Sequence, residues 1–254
     1  MMPRALTVLC LLPLLAFGQW ALDFDEDFAA ASSKKAEPVE PVELTFEYVS
    51  TYPATITIGG QPANPSKALV DAGDGVFVPW TSNTITVKGK RIRFRGDWRN
   101  SAGNFQNLFG WTFGGGHNVT MSGGFDFDGA PAQFMFAGTF QGCPNLTGPI
   151  PSGLFGAISG APTVHMFRAT FYGCSKLTSI PAGLFGDISG APASSMFEST
   201  FSGCSSLTGE SALMPDGTTH LYQQFPTASG YQCDGCYLSA TGLNDYATMP
   251  AAWK

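Results

Sequence analysis

One motif is written three times between Phe134 and Thr208, and it constrains the fold more than any other feature. Met135-Phe136-Ala-Gly-Thr139-Phe140-Gln-Gly142-Cys143 is followed by Met166-Phe167-Arg168-Ala-Thr170-Phe171-Tyr172-Gly173-Cys174. The third copy is Met196-Phe197-Glu198-Ser-Thr200-Phe201-Ser-Gly203-Cys204. Each runs into a Leu-Thr pair, at Leu146, Leu177 and Leu207, and the segments 151–162 and 181–192 also match. The cysteines stand 31 and then 30 residues apart. Such a period signals stacked units, each too small to bury its apolar face alone.

Met166, Phe167, Thr170, Phe171 and Cys174 sit at i, i+1, i+4, i+5 and i+8, which predicts one face of a helix. Pro162 and Pro192 suit the first turn of that helix, and Gly160 and Gly190 the left-handed end of the one before. Leu184, Phe185 and Ile188 give the earlier, shorter helix its stripe, and Leu177 to Ile180 reads as a short strand stopped by Pro181. The expected fold class is therefore an α/β repeat, a solenoid with one short strand and two short helices per repeat, preceded by a small β-rich module.

The pattern Met-Phe-x-x-Thr-Phe-x-Gly-Cys-x-x-Leu-Thr-x-Ile-Pro-x-Gly-Leu-Phe resembles the BspA-like leucine-rich repeats of bacterial surface and secreted proteins. The resemblance covers about residues 100–254 and is specific within 134–208. It implies a leucine-rich-repeat solenoid and a non-catalytic role in adhesion or host interaction, and it brings no catalytic residue.

Residues 1–18 read as a secretory signal: Arg4 gives the positive start, Ala5–Leu15 the apolar run and Ala16-Phe17-Gly18 the cleavage site. The alternative, a membrane anchor, needs roughly 20 apolar residues, and no later run is that long, so no transmembrane helix is expected in the mature chain. The expected location is secreted, extracellular or periplasmic, or at the cell surface. Residues 19–43, with two X-Pro steps, read as a flexible linker. The chain has 13 basic and 19 acidic residues, and loss of Arg4 leaves 12 against 19, a balance that argues against a nucleic-acid partner for the protein as a whole. The expected partner is an extracellular protein or glycan.

Residues 44–99 lack the motif. Leu44-Thr-Phe46-Glu-Tyr48, Ala54 to Ile58, Val76 to Val78, Thr84 to Val87 and Ile92 to Trp98 are short β-rich runs, read as a separate domain or as a cap on the repeats at 100–254. Asp71-Ala-Gly-Asp74-Gly75 reads as a turn in preference to a calcium loop, since further oxygen ligands are missing. Arg91, Arg93 and Arg95 share one face of a strand, either an anion-binding stripe or a charged face that guards an edge. Residues 100–134 read as a worn first repeat, and Gly242 to Lys254 as a C-terminal cap.

Cys143, Cys174 and Cys204 read as a ladder of buried thiols, since equivalent side chains in a stack point the same way. Gly235-Cys236 repeats their Gly-Cys step, and the spacing of Cys233 and Cys236 suits a short-loop disulfide. His165, Arg168 and Tyr172 of the second copy differ from Ser195, Glu198 and Ser202 of the third. Variable positions on a shared scaffold are candidate binding residues, so His165, Arg168, Tyr172 and Glu198 join the arginine stripe as candidates. His117, His165 and His220 have no metal ligand at close spacing, and nucleophile-elbow, P-loop and dinucleotide motifs are absent. No metal, cofactor or catalytic residue is expected. Two other readings stay open: a secreted enzyme or thiol-redox protein using Cys233 and Cys236, and a self-associating envelope protein.

Overall fold

The computed structural model describes residues 41–127, 130–156, 158–228 and 230–254. The signal at 1–18 and the linker up to residue 40 lie outside them.

Alternation builds the N-terminal sheet. In β1 (Glu43–Tyr48) Leu44, Phe46 and Tyr48 are buried, and in β6 (Arg91–Gly96) Ile92 and Phe94. The two strands pair antiparallel from Glu43↔Arg95 to Glu47↔Arg91. With β3 (Ala68–Asp71), β4 (Val78–Pro79) and β7 (Val119–Gly123) they form one five-stranded sheet in the order β4-β3-β6-β1-β7. A second antiparallel pair joins β2 (Thr55–Thr57) to β5 (Thr84–Thr86). Strands from both sides of residue 100 thus share one sheet, and residues 41–254 form one compact unit.

The repeat region corrects the expected fold class. Among the described residues the regular structure is mostly β-strand, and the leucine-rich-repeat solenoid of strand plus two helices is not formed. Among the described residues the helical elements are α1 (Leu221–Gln224) and two 3-10 turns, Gly230–Gln232 and Ala251–Trp253. None of them lies in a motif copy. The strands there are very short and parallel: β8 (Thr147–Pro149) with β10 (Lys176–Ser179), and β9 (Ser159–Gly160) with β11 (Asp187–Ile188).

The copies themselves are ribbons of tight turns. In the first, the N–H groups of Ala137, Thr139 and Gln141 close turns on Phe134, Phe136 and Gly138 at 3.0–3.2 Å. The alternate N–H groups, of Phe136, Gly138, Phe140 and Gly142, donate to Met166, Arg168, Thr170 and Tyr172 of the next copy at 2.7–2.8 Å. The ladder repeats from Phe167–Gly173 to Met196–Ser202, and from Phe197–Gly203 to Gln232–Leu238. Upstream, Phe105, Asn107, Phe109 and Trp111 donate to the first copy.

A period of four explains the misread helix. Every fourth residue is left-handed: Phe134, Gly138 and Gly142, then His165, Ala169 and Gly173, then Ser195, Ser199 and Gly203, with φ from 52° to 77°. Such residues break an α-helix, since non-glycine side chains pay about 1–2 kcal/mol each for that conformation. The apolar spacing at 1, 2, 5, 6 and 9 fits a four-residue period as well as a 3.6-residue one, so spacing alone did not separate the two.

Aromatic columns run through the copies. Phe105, Phe136, Phe167 and Phe197 stack at 5.1–5.6 Å between centroids. Phe109, Phe140, Phe171, Phe201 and Tyr237 do so at 5.4–5.7 Å. Phe46 and Phe94 of the sheet close the second column against Phe109, at 4.9 and 5.1 Å. Trp253 packs on Phe197 at the other end, 6.0 Å away.

The ribbon gives Ala169→Gly an unusual sign. Relief of a left-handed alanine is expected to raise unfolding free energy by about 1 kcal/mol; in a helix the same change costs about 1 kcal/mol. Urea unfolding of the variant decides between them, and a lowered midpoint would contradict the turn ribbon.

Candidate binding surface

The buried thiols are ladder members as well as filler. Cys143, Cys174 and Cys204 are fully buried, and each S–H donates to a carbonyl of the preceding copy, of Phe109, Phe140 and Phe171, at 3.1 Å. Thr139, Thr170 and Thr200 place their hydroxyls between carbonyls of two copies in the same way, at 2.8–3.1 Å. Sequence reading saw the three cysteines as a ladder of buried thiols and missed these hydrogen bonds.

Cys233 and Cys236 are free and buried, so the short-loop disulfide is not present. The register of Cys236 also differs from that expected. Phe201 donates to Cys236, which puts Cys236 in the slot of Thr200 and leaves Ala240 in the slot of Cys204. Cys233 then falls in the phenylalanine column and Cys236 in the threonine one, each pointing where its predecessor points. Ser239, at φ 68°, does the work of Gly203.

Arg91, Arg93 and Arg95 do share one face of β6, and acids from the neighbouring strands meet them. Arg91 pairs with Glu47 at 3.0 Å, Arg93 with Asp71 at 2.7 Å and Glu43 at 3.5 Å, and Arg95 with Glu43 at 3.8 Å. Arg93 and Arg95 also lie over the Phe77 ring, at 4.7 and 3.8 Å. Three guanidinium groups facing three carboxylates make a neutralised lattice, which weakens the anion-stripe reading. Asp71 also accepts the N–H groups of Gly73 and Gly75, closing the expected turn.

In the copies, Arg168 and Glu198 occupy one slot in successive layers and pair at 3.2 Å. His165 stacks on Phe134 at 4.7 Å and is half-buried, and Ser195 in the same slot is buried, so this is no open surface position. Tyr172 is 45% exposed, and Leu238, in the same slot two layers on, is 51% exposed.

Sequence reading missed Trp111. It takes the slot of Gly142, lies against Gly142 itself and is 62% exposed, while the other four tryptophans include three that are buried. Beside it is a cleft of about 160 Å³ lined by Tyr48, Ile56, Thr112, Phe113 and His117 among others. His117 Nδ1 is held by Thr51, at 3.0 Å from Oγ1 and 3.1 Å from the carbonyl oxygen. The slot signal was legible in principle: a tryptophan where every copy has glycine. No charged residue lines the cleft, which suits an uncharged ligand with an apolar face.

A second cluster joins Ser211, His220 and Asp245. Ser211 Oγ donates to Asp245 at 2.7 Å and lies 2.9 Å from His220 Nδ1, the nitrogen that also faces Asp245 at 3.3 Å. Ser211 is 1% exposed. A buried hydroxyl bonded to the carboxylate, with both on one ring nitrogen, is not the relay that activates a serine nucleophile.

Burial pushes the thiols up from an ordinary value of 9.0, Cys143 to about 11 and Cys204 to about 12. A folded-state value above the unfolded one contributes stability that is complete below pH 9 and lost as pH rises through 11–12. Unfolding free energy should fall by at least about 2 kcal/mol between pH 8 and pH 11, with a shallower slope in Cys143→Ala. Equal slopes would show that the thiols are not held protonated. The chain matches no known protein family, curated protein or solved structure in comparisons with each.

Proposed function

We propose that this is a secreted or surface-associated, non-catalytic binding protein. It engages an extracellular protein or glycan through the exposed edge carrying Trp111, Tyr172 and Leu238. The carrying observation is Trp111, an indole left 62% exposed beside a cleft in a chain that buries most of its aromatic rings. Exposed aromatic groups held on a rigid scaffold are the usual anchors of recognition surfaces. The ladder supplies that rigidity, because Trp111 N–H is bonded into it at 2.7 Å. The BspA-like resemblance points the same way.

The thiol-redox alternative draws less support. Cys233 and Cys236 are buried, burial pushes Cys233 up to about 12 and Cys236 well above its ordinary value, and a reactive thiol needs the opposite shift. Among the described residues, no helix is long and apolar enough to cross a membrane.

The test is an array of glycans and extracellular-matrix proteins, probed with the mature chain at physiological salt. Trp111→Ala and Tyr172→Ala should each weaken binding at least about tenfold, the loss of one anchor worth about 1.4 kcal/mol or more. Both should unfold in urea near the parent midpoint. Full binding by both variants would remove this edge as the contact surface.

A further inference from the structure

We propose that Glu210, His220 and Asp245 form a binding site for one zinc-type divalent cation, which ties the C-terminal segments together. One ligand atom from each residue lies within 4.8 Å of the other two. His220 Nδ1 is 3.3 Å from Asp245 Oδ2, close to the edge of a tetrahedron around an ion with ligand bonds of about 2.0–2.2 Å. Glu210 Oε2 is 3.8 Å from the other ring nitrogen, Nε2, so an ion on Nδ1 draws the 47% exposed Glu210 carboxylate toward that side of the ring.

The surroundings hold each ligand from behind, as metal sites require. Asp245 Oδ1 accepts the Ser211 N–H at 3.1 Å, while the Ser211 hydroxyl lies between the two ligand atoms, 2.7 Å from Oδ2 and 2.9 Å from His220 Nδ1, and gives up those contacts to an ion. Asn244 Nδ2 donates to Glu210 Oε1 at 2.7 Å, leaving Oε2 toward the imidazole. Tyr222 stacks on the His220 ring at 5.0 Å. Charge favours a cation as well. The residue that pairs with both carboxylates is the single imidazole of His220, so the two acids share one nitrogen-bearing partner between them. One imidazole and two carboxylates select zinc over calcium or magnesium, which prefer all-oxygen shells.

The three ligands come from separate segments. Glu210 follows the Gly209↔Leu243 bridge, His220 caps α1 and pairs across to Leu213, and Asp245 lies in the tail. A cation bound there would clamp the segments that cover the last copy, and binding to the folded chain alone raises its stability.

The experiment uses the tag-free mature chain, stripped with chelator, and Zn²⁺ alone as the probe. Calorimetry should show one Zn²⁺ per chain, and the melting temperature should rise with Zn²⁺ but not with equimolar Mg²⁺. Glu210→Gln, at an exposed position, should fold like the parent and bind at least tenfold more weakly. His220→Ala and Asp245→Asn should lose binding. Zn²⁺ without effect on the parent, or retained at full affinity by Glu210→Gln or His220→Ala, overturns the proposal.

Discussion

In the ribbon from Phe134 to Cys143, every second N–H points at the next copy and the interleaved ones close turns within their own. The backbone is therefore satisfied without helix and without long strands. Unpaired backbone groups inside a core are costly, at about 1–3 kcal/mol each, so a turn ribbon of this kind is stable only beside another ribbon. Threonine and cysteine side chains extend the same rule, each donating across the gap to the carbonyl that the turns leave with spare capacity. The ring columns follow from it, because layers in register place each phenylalanine over its predecessor.

The ends of such a stack need a different solution on each side. Upstream, the five-stranded sheet covers the column that begins at Phe109 with Phe46 and Phe94. Thr112 shows the cost of being first: it fills the cysteine slot, and its hydroxyl is buried without a partner. Downstream, Tyr237 and Trp253 close the columns, and the segments around Glu210, His220 and Asp245 lie over them. Between the ends the edge of the ladder is open, and there the side chains are free to vary. Trp111, Tyr172 and Leu238 use that freedom, whereas Arg168 and Glu198 use it to pair with each other.

The three copies, their adjacency and the buried cysteines are legible in the sequence because identical segments must occupy equivalent environments. The strands of the sheet are legible too, since Leu44, Phe46, Ile92 and Phe94 alternate as a half-buried strand must. The helices were misread because a four-residue turn period and a 3.6-residue helical period place the same five apolar positions on one side. The discriminating clue was the glycine at every fourth position, Gly138 and Gly142 in the first copy, which alanine and serine obscure in the others. The His220 cluster was not legible at all: its members are brought together by folding across 10 and 25 residues of intervening chain numbering.

Through-hydrogen-bond scalar couplings measured by NMR test the ladder directly. Couplings should connect the amide nitrogen of Phe136 to the carbonyl carbon of Met166, that of Phe140 to Thr170, and that of Phe171 to Thr200. Couplings from these nitrogens to the carbonyl four residues earlier in the chain would mean that the copies are helices after all, and would contradict the account.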